Sequence, residues 1–106
     1  MTEDCDPVYG KVDRILDLLT KSKSLHILMV LDRTDSPLRF TEIKSMVDAS
    51  STTVSRRIKE LEDTRLIVSS VNPESPQNKV YSLSEDGSNL SPIMQQFFNW
   101  ATDWKE

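Results

Sequence analysis

The chain has 106 residues, 37% of them hydrophobic, with two glycines, five prolines and a formal net charge of −4, a composition that suits one domain with one compact core rather than a low-complexity chain. No apolar run reaches the roughly 20 residues of a membrane span, and the acidic start MTEDCDPVYG is not that of a signal peptide, so the expected location is the cytoplasm. One cysteine (Cys5) and one histidine (His26) exclude an internal disulfide and a cysteine-built zinc site, and leave little for a histidine metal site or a Ser/His/Asp triad; neither metal nor cofactor is expected.

Asp6-Pro7 reads as an N-cap followed by proline at the first helical position. Behind it Val8, Val12, Ile15, Leu16 and Leu19 recur at helical spacing to about Thr20. A second helix, Ser24 to Asp32, is apolar on most sides and should be central, with His26 a packed or boundary side chain rather than a ligand. Arg33–Pro37 is a turn by composition. Thr41 caps a short third helix with Ile43, Met46 and Val47 inward and Phe40 at its entry. Asp48-Ala49 is a tight connection, and Ser50 caps a fourth helix, Ser51 to about Asp63, with the apolar stripe Val54, Ile58 and Leu61. Leu66–Val71 and Lys79–Leu83 are β-favouring runs around a turn region, Asn72–Asn78, and together predict a hairpin. Ser84–Gly87 opens a helical turn, and Ser91-Pro92 caps a last helix to about Lys105.

Helix, helix, helix, helix, hairpin, helix contains the elements of a winged helix-turn-helix, set against an arbitrary small α+β domain. The expected fold class is α+β, mainly α, with a two-stranded wing and flanking terminal helices. The domain is single over 1–106: an N-terminal helix over 1–22, a core with wing over 23–84 and a C-terminal helix over 85–106.

Charge singles out the fourth helix. Residues 1–38 carry five basic and seven acidic side chains, residues 60–106 three and eight, but residues 39–59 carry five (Arg39, Lys44, Arg56, Arg57, Lys59) against Glu42 and Asp48. With Val54, Ile58 and Leu61 inward, steps of about 100° per residue put Thr52, Arg56 and Lys59 opposite, Thr53 and Ser55 to either side, and Arg57 nearer the core boundary. Cations and hydroxyls in the first turns of a helix suit phosphates and base edges of a DNA major groove. The plainer alternative is a solvated face paired with neighbouring acids.

From Arg39 onward the sequence resembles the HxlR family, a branch of the MarR-like winged-helix transcription regulators. RFTEIKSMV resembles its "RF-x-EL" helix, SSTTVSRRIKELEDTRLI its recognition helix and first strand entry, KVYSLSEDG its second wing strand and "YSLT-x-x-G" exit, and LSPIMQQFFNW its C-terminal helix. The resemblance implies a homodimer joined through terminal helices, DNA bound by recognition helix and wing, and a small-molecule or redox effector in many members. It puts Ser51, Thr52, Thr53, Arg56 and Arg57 at the major groove and Asn78 and Lys79 on the wing. The chain departs from the family in reading LTKSKSLHIL where Gly-Lys-Trp is usual, in Arg65 where glycine is favoured, and in Asn78 where arginine is frequent.

Two further features have more than one reading. Cys5 stands where some members of the similar family carry a redox-sensing thiol, but Glu3, Asp4 and Asp6 oppose its ionisation, which favours an unreactive thiol. Ile93, Phe97, Trp100 and Trp104 form a helical stripe that fits core, cofactor pocket or dimer seam; seam is favoured, joined by Val12, Ile15, Leu16 and Leu19, because so small a monomer has little core to cover it. The expected function is a transcriptional regulator, a repressor acting as a homodimer on a palindromic operator, with Ser51, Thr52, Thr53, Ser55, Arg56, Arg57, Lys59, Asn78 and Lys79 on DNA. The alternative is a winged-helix module that binds protein. No nucleophile–base pair, metal cluster or glycine-rich phosphate loop supports an enzyme.

Overall fold

The computed structural model describes residues 7–106, apart from the side chains of Asn72 and Pro76. Five helices and three strands follow in the order α1 (Pro7–Leu19), α2 (Ser24–Thr34), β1 (Leu38–Arg39), α3 (Phe40–Val47), α4 (Ser51–Asp63), β2 (Ile67–Asn72), β3 (Ser75–Leu83) and α5 (Glu85–Asp103). The Cys5 thiol and the Asp6 cap lie outside the described residues. None of the described helices is long and apolar enough to cross a membrane.

The core gathers where the helical stripes converge on the sheet. Ile27, Leu28 and Leu31 of α2, Ile43 and Val47 of α3, and Val54, Ile58 and Leu61 of α4 are buried against Leu38, Leu66, Ile67 and Tyr81, with Leu18 of α1 and Met94 of α5 closing the ends. Burying such apolar side chains contributes roughly 1.5–3 kcal/mol each, and helix α2, buried at four positions (Ser24, Ile27, Leu28 and Leu31), is the central element that the sequence pattern predicts. Met46, expected inward, is instead about half exposed. Only eight residues long, α3 buries one narrow stripe, and Ile43 and Val47 at i, i+4 fill it.

Three boundaries differ from the sequence expectation. The chain after the α2 turn adds a two-residue strand, β1, whose Leu38 and Arg39 pair with Tyr81 and Val80, so the sheet has three strands in the order β1-β3-β2. Two residues carry no readable alternation. Next, β3 begins at Ser75, well before Lys79: Asn72 pairs with Ser75 and Val71 with Lys79, so residues 76–78 are taken up by an irregularity in the ladder rather than by the turn. Helix α3 starts at Phe40, not after Thr41; Glu42 accepts the Arg39 backbone N–H at 2.8 Å, the reciprocal half of a capping box.

The last helix is one element, not two. Ser84, rather than Ser91, is its N-cap, accepting the Gly87 N–H at 3.0 Å, and Pro92 lies inside the helix. Interior proline costs about 3 kcal/mol through its missing N–H and ring clash, but Leu90 and Met94 on either side pack onto the core. Ser88, four residues earlier, is exposed.

The end of α4 is a Schellman closure. Leu66 N–H donates to Leu61 O at 3.0 Å and Arg65 N–H to Glu62 O at 2.9 Å, with Arg65 in the left-handed region at φ 65°. Leu66 O then accepts the Ser84 N–H at 3.0 Å. A Cβ on Gly87 would stand 2.1 Å from that same oxygen, so only glycine fits there. Substitutions at the two positions should have opposite signs in urea unfolding. Gly87→Ala is expected to cost about 1–3 kcal/mol by overpacking, while Arg65→Gly, which relieves a left-handed side chain, is expected to gain about 0.5–1 kcal/mol. Equal stability of Gly87→Ala and wild type would contradict the close approach at Leu66.

Candidate nucleic-acid interface

Helices α3 and α4 are joined by Asp48, left-handed at φ 53°, and by Ser50, whose hydroxyl accepts the Thr53 N–H at 3.2 Å. That hydroxyl also donates to Thr53 Oγ1 at 3.1 Å. The turn is therefore closed by side chain and backbone together.

With Val54, Ile58 and Leu61 buried, the outer face of α4 presents Ser51, Thr52, Ser55, Arg56 and Lys59, all exposed. Thr53 is half-buried, its hydroxyl engaged with the Ser50 cap. Arg56 and Lys59 take part in no salt bridge or side-chain hydrogen bond among the described residues. Lys59 and Ser55 share a shallow cleft with Lys79 of β3, floored by Phe40, Ile58 and Tyr81, with Glu62 at its edge. The Lys79 ammonium lies 5.5 Å from the centre of the Tyr81 ring, a cation–π distance that holds it over the cleft. Asn78 is exposed on the same strand. Recognition helix and wing thus contribute cations to one cleft.

Arg57, expected nearer the core boundary and among the DNA contacts, stands apart from the exposed residues of α4 because it is engaged within the molecule. Its Nε donates to Ser22 O at 2.9 Å and its Nη1 pairs with Glu60 Oε1 at 2.9 Å, leaving the side chain 12% exposed. Glu60 is completed by Lys21 Nζ, 3.4 Å from Oε2. Burial acts to raise the Glu60 carboxyl, but the hydrogen bond and charge of Arg57, with Lys21 behind them, prevail and hold it below its ordinary value. Glu60 and Lys21 were not among the residues singled out from the sequence. The i, i+3 spacing of Arg57 and Glu60 is the one signal that could have found them, and the plain reading of a cation paired with a neighbouring acid holds for Arg57.

The expected seam residues divide in two. Val12, Leu16, Ile93, Phe97, Trp100 and Trp104 are exposed, Trp100 by 58%, whereas Ile15 and Leu19 turn inward and pack on the core. Phe97, Trp100 and Trp104 stack in sequence, with ring centres 6.2 and 5.6 Å apart. Val8 and Tyr9 add to the open face of α1. His26, expected packed or at a boundary, is exposed beside Met29, Val30, Arg33 and Phe98, and Arg33 lies 4.6 Å over the Phe98 ring.

The family model described as HxlR-like helix-turn-helix matches residues 18–106. The uncharacterized HTH-type transcriptional regulator YvaP of Bacillus subtilis is 34% identical over 95 residues, 89% of this chain and 86% of its own. The HTH-type transcriptional regulator YodB of the same organism is 34% identical over 83 residues, 77% of this chain and 70% of its own. The solved structure of reduced YodB superposes with a TM-score of 0.79 at 33% identity, covering 91% of this chain and 93% of that one. The MepR–DNA complex of S. aureus shares the fold, with a TM-score of 0.68 at 21% identity over 92% of this chain and 80% of that one.

The Lys21–Glu60–Arg57 cluster has a pH signature. Because the folded Glu60 pKa is lowered, its contribution to stability is fully present above the ordinary value of 4.5 and is lost as pH falls through the folded value. Wild type should therefore exceed Glu60→Gln in urea stability at pH 7, and the two should converge toward pH 3. A difference that persists undiminished at pH 3 would exclude the charged pairing.

Proposed function

Because the chain belongs to the HxlR-like helix-turn-helix family, whose relatives are transcriptional regulators and not enzymes, we propose that it is a sequence-specific repressor that binds a palindromic operator as a homodimer. One observation carries the reading: Ser51, Thr52, Ser55, Arg56 and Lys59 stand exposed on one face of α4, in the single net-positive segment of an acidic chain. Cations without intramolecular partners are free to displace counterions from phosphate, and hydroxyls beside a helix N-terminus can take a phosphate or a base edge.

In this reading α4 enters the major groove N-terminus first. Arg56, pointing most directly outward, reads a base edge, while Lys59 and Lys79 neutralise the backbone on the wing side, with Asn78 in reach of the flanking groove. A dyad relates two such helices, and half-sites lie about one helical turn apart, roughly 34–36 Å.

The stacked row of Phe97, Trp100 and Trp104, with Ile93, Val12 and Leu16, supports the terminal helices as the dimer seam. So large an apolar surface on so small a chain is characteristic of partner faces. A cysteine in an acidic neighbourhood is a poor thiolate, which favours an unreactive Cys5 over a sensing one.

Gel-shift titrations over a range of salt test the DNA reading. Each phosphate contact steepens the fall of log affinity with log salt by about 0.9. Lys59→Ala should flatten that slope by nearly two per dimer, and Arg56→Ala should relax sequence preference at one position of each half-site, at about 1–3 kcal/mol. Unchanged affinity, slope and preference in both variants would move the function to protein binding. For the seam, Trp100→Glu should yield monomers by light scattering, since it sets a charge within the apolar row; a stable dimer of that variant would place the seam elsewhere.

A further inference from the structure

We infer that Arg57 is a positioning residue: it fastens the recognition helix to the α1–α2 connection, so that the setting of α1 controls how Arg56 and Lys59 are presented. The inference rests on the DNA-binding reading for its consequence, but the coupling between α1 and α4 is a property of the free protein.

Two links leave consecutive turns of α4 for adjacent residues of the connection. Arg57 Nε donates to the Ser22 carbonyl at 2.9 Å, and Lys21 Nζ reaches Glu60 Oε2 at 3.4 Å. Arg57 and Glu60 are joined at 2.9 Å, so the two links form one bridge. An arginine held by a backbone carbonyl and a carboxylate presents its planar donor set in a single orientation. The Arg57 side chain is largely withdrawn from solvent, which reduces the screening of its pair with Glu60, whereas the Lys21–Glu60 link is exposed and is screened like other surface pairs.

The connection is itself stiff. Lys21 N–H donates to Leu18 O at 3.2 Å, Ser24 N–H to Lys21 O at 3.0 Å, and Ile27 N–H to Lys23 O at 2.9 Å. Lys23 is left-handed at φ 73°, a conformation a non-glycine residue keeps only where its surroundings hold it. Ser24 is wholly buried. A displacement of α1 is therefore not absorbed between residues 20 and 24.

Helix α1 is anchored through its last two turns, where Leu18 is buried and Ile15 and Leu19 pack on the core, while Val12 and Leu16 open outward along the face assigned to the seam. The bridge sits just past the anchored end of that helix. Arg57 is flanked in sequence by the outward Arg56 and the buried Ile58, so a shift at Ser22 is delivered to the residue beside the base-reading side chain.

Hydrogen exchange on the full-length free chain, and gel shifts with a duplex selected by wild type from a random-sequence library, test this together. In Arg57→Ala and in Glu60→Ala, amides of the last turn of α1 and of residues 20–24 should exchange at least several-fold faster, while Val54–Leu61 keep their protection. DNA affinity should fall about fivefold in each, within the range of measured coupling effects, with the salt slope unchanged. Glu60→Ala separates the mechanisms by sign: loss of a negative charge near DNA by itself tightens binding, whereas loss of the bridge weakens it. Unchanged exchange over residues 16–24 overturns the inference, and so does a slope flattened by nearly two units in Arg57→Ala, which would make Arg57 a phosphate contact. If wild type selects no DNA while exchange responds as described, the DNA reading falls and the coupling stands.

Discussion

The carbonyl and amide of Leu66 form the joint on which the other elements depend. Its N–H closes the end of α4 on Leu61 O, its carbonyl receives the Ser84 N–H that leads into α5, and Gly87 rests against that oxygen with no room for a Cβ. The recognition helix, the first wing strand and the C-terminal helix are thereby fixed to one residue. Ser84 adds a second fastening across the same joint, donating from its hydroxyl to Arg65 O at 2.6 Å while capping α5. Buried backbone groups must be paired, and here the pairing itself sets the angle between helix and wing.

From that joint the division between inside and outside follows. The wing strands turn Ile67, Tyr81 and Leu83 toward α4 and α2, which covers one face of a small sheet, and β1 covers the free edge of β3 by pairing with it. Most of the large apolar surface that the fold does not cover lies on its terminal helices. Helix α5 buries Gly87 and Met94 in its first half, and leaves Ile93, Phe97, Trp100 and its C-cap Trp104 in the open. An apolar row of that size is stable in water only at a cost that a partner surface removes.

Arg56 and Arg57 illustrate how one step along a helix separates two roles. Neighbours on a helix differ by about 100°. That rotation takes Arg56 to solvent, without an ionic partner among the described residues, and takes Arg57 against Ser22 and Glu60. Removing two identical side chains thus probes different physics: the first a charge available to a ligand, the second a bracket within the molecule. The lowered Glu60 carboxyl is the electrostatic trace of that bracket.

The sequence by itself determined the order of the helices, the apolar stripe of α4, the Ser50 cap and the location of the positive segment, because each is a local property of spacing, capping or charge. It also carried the HxlR resemblance, through the RFTEIKSMV, recognition-helix and KVYSLSEDG stretches. Other features were decided only in three dimensions. The two-residue β1 is a strand only because β3 is there to pair with it. Ser91-Pro92 looks like a helix start, yet Ser84 and Gly87 are already committed at Leu66, so the helix runs through the proline. Ile15 and Leu19 share a stripe with Val12 and Leu16 but pack inward, since the turn after α1 brings its last two turns against α2. Arg57 became a bracket because its partner Ser22 lies 35 residues away. Spacing along the chain reports which residues share a face; which of those faces meets another element is settled by contacts between distant segments, and no local pattern encodes them.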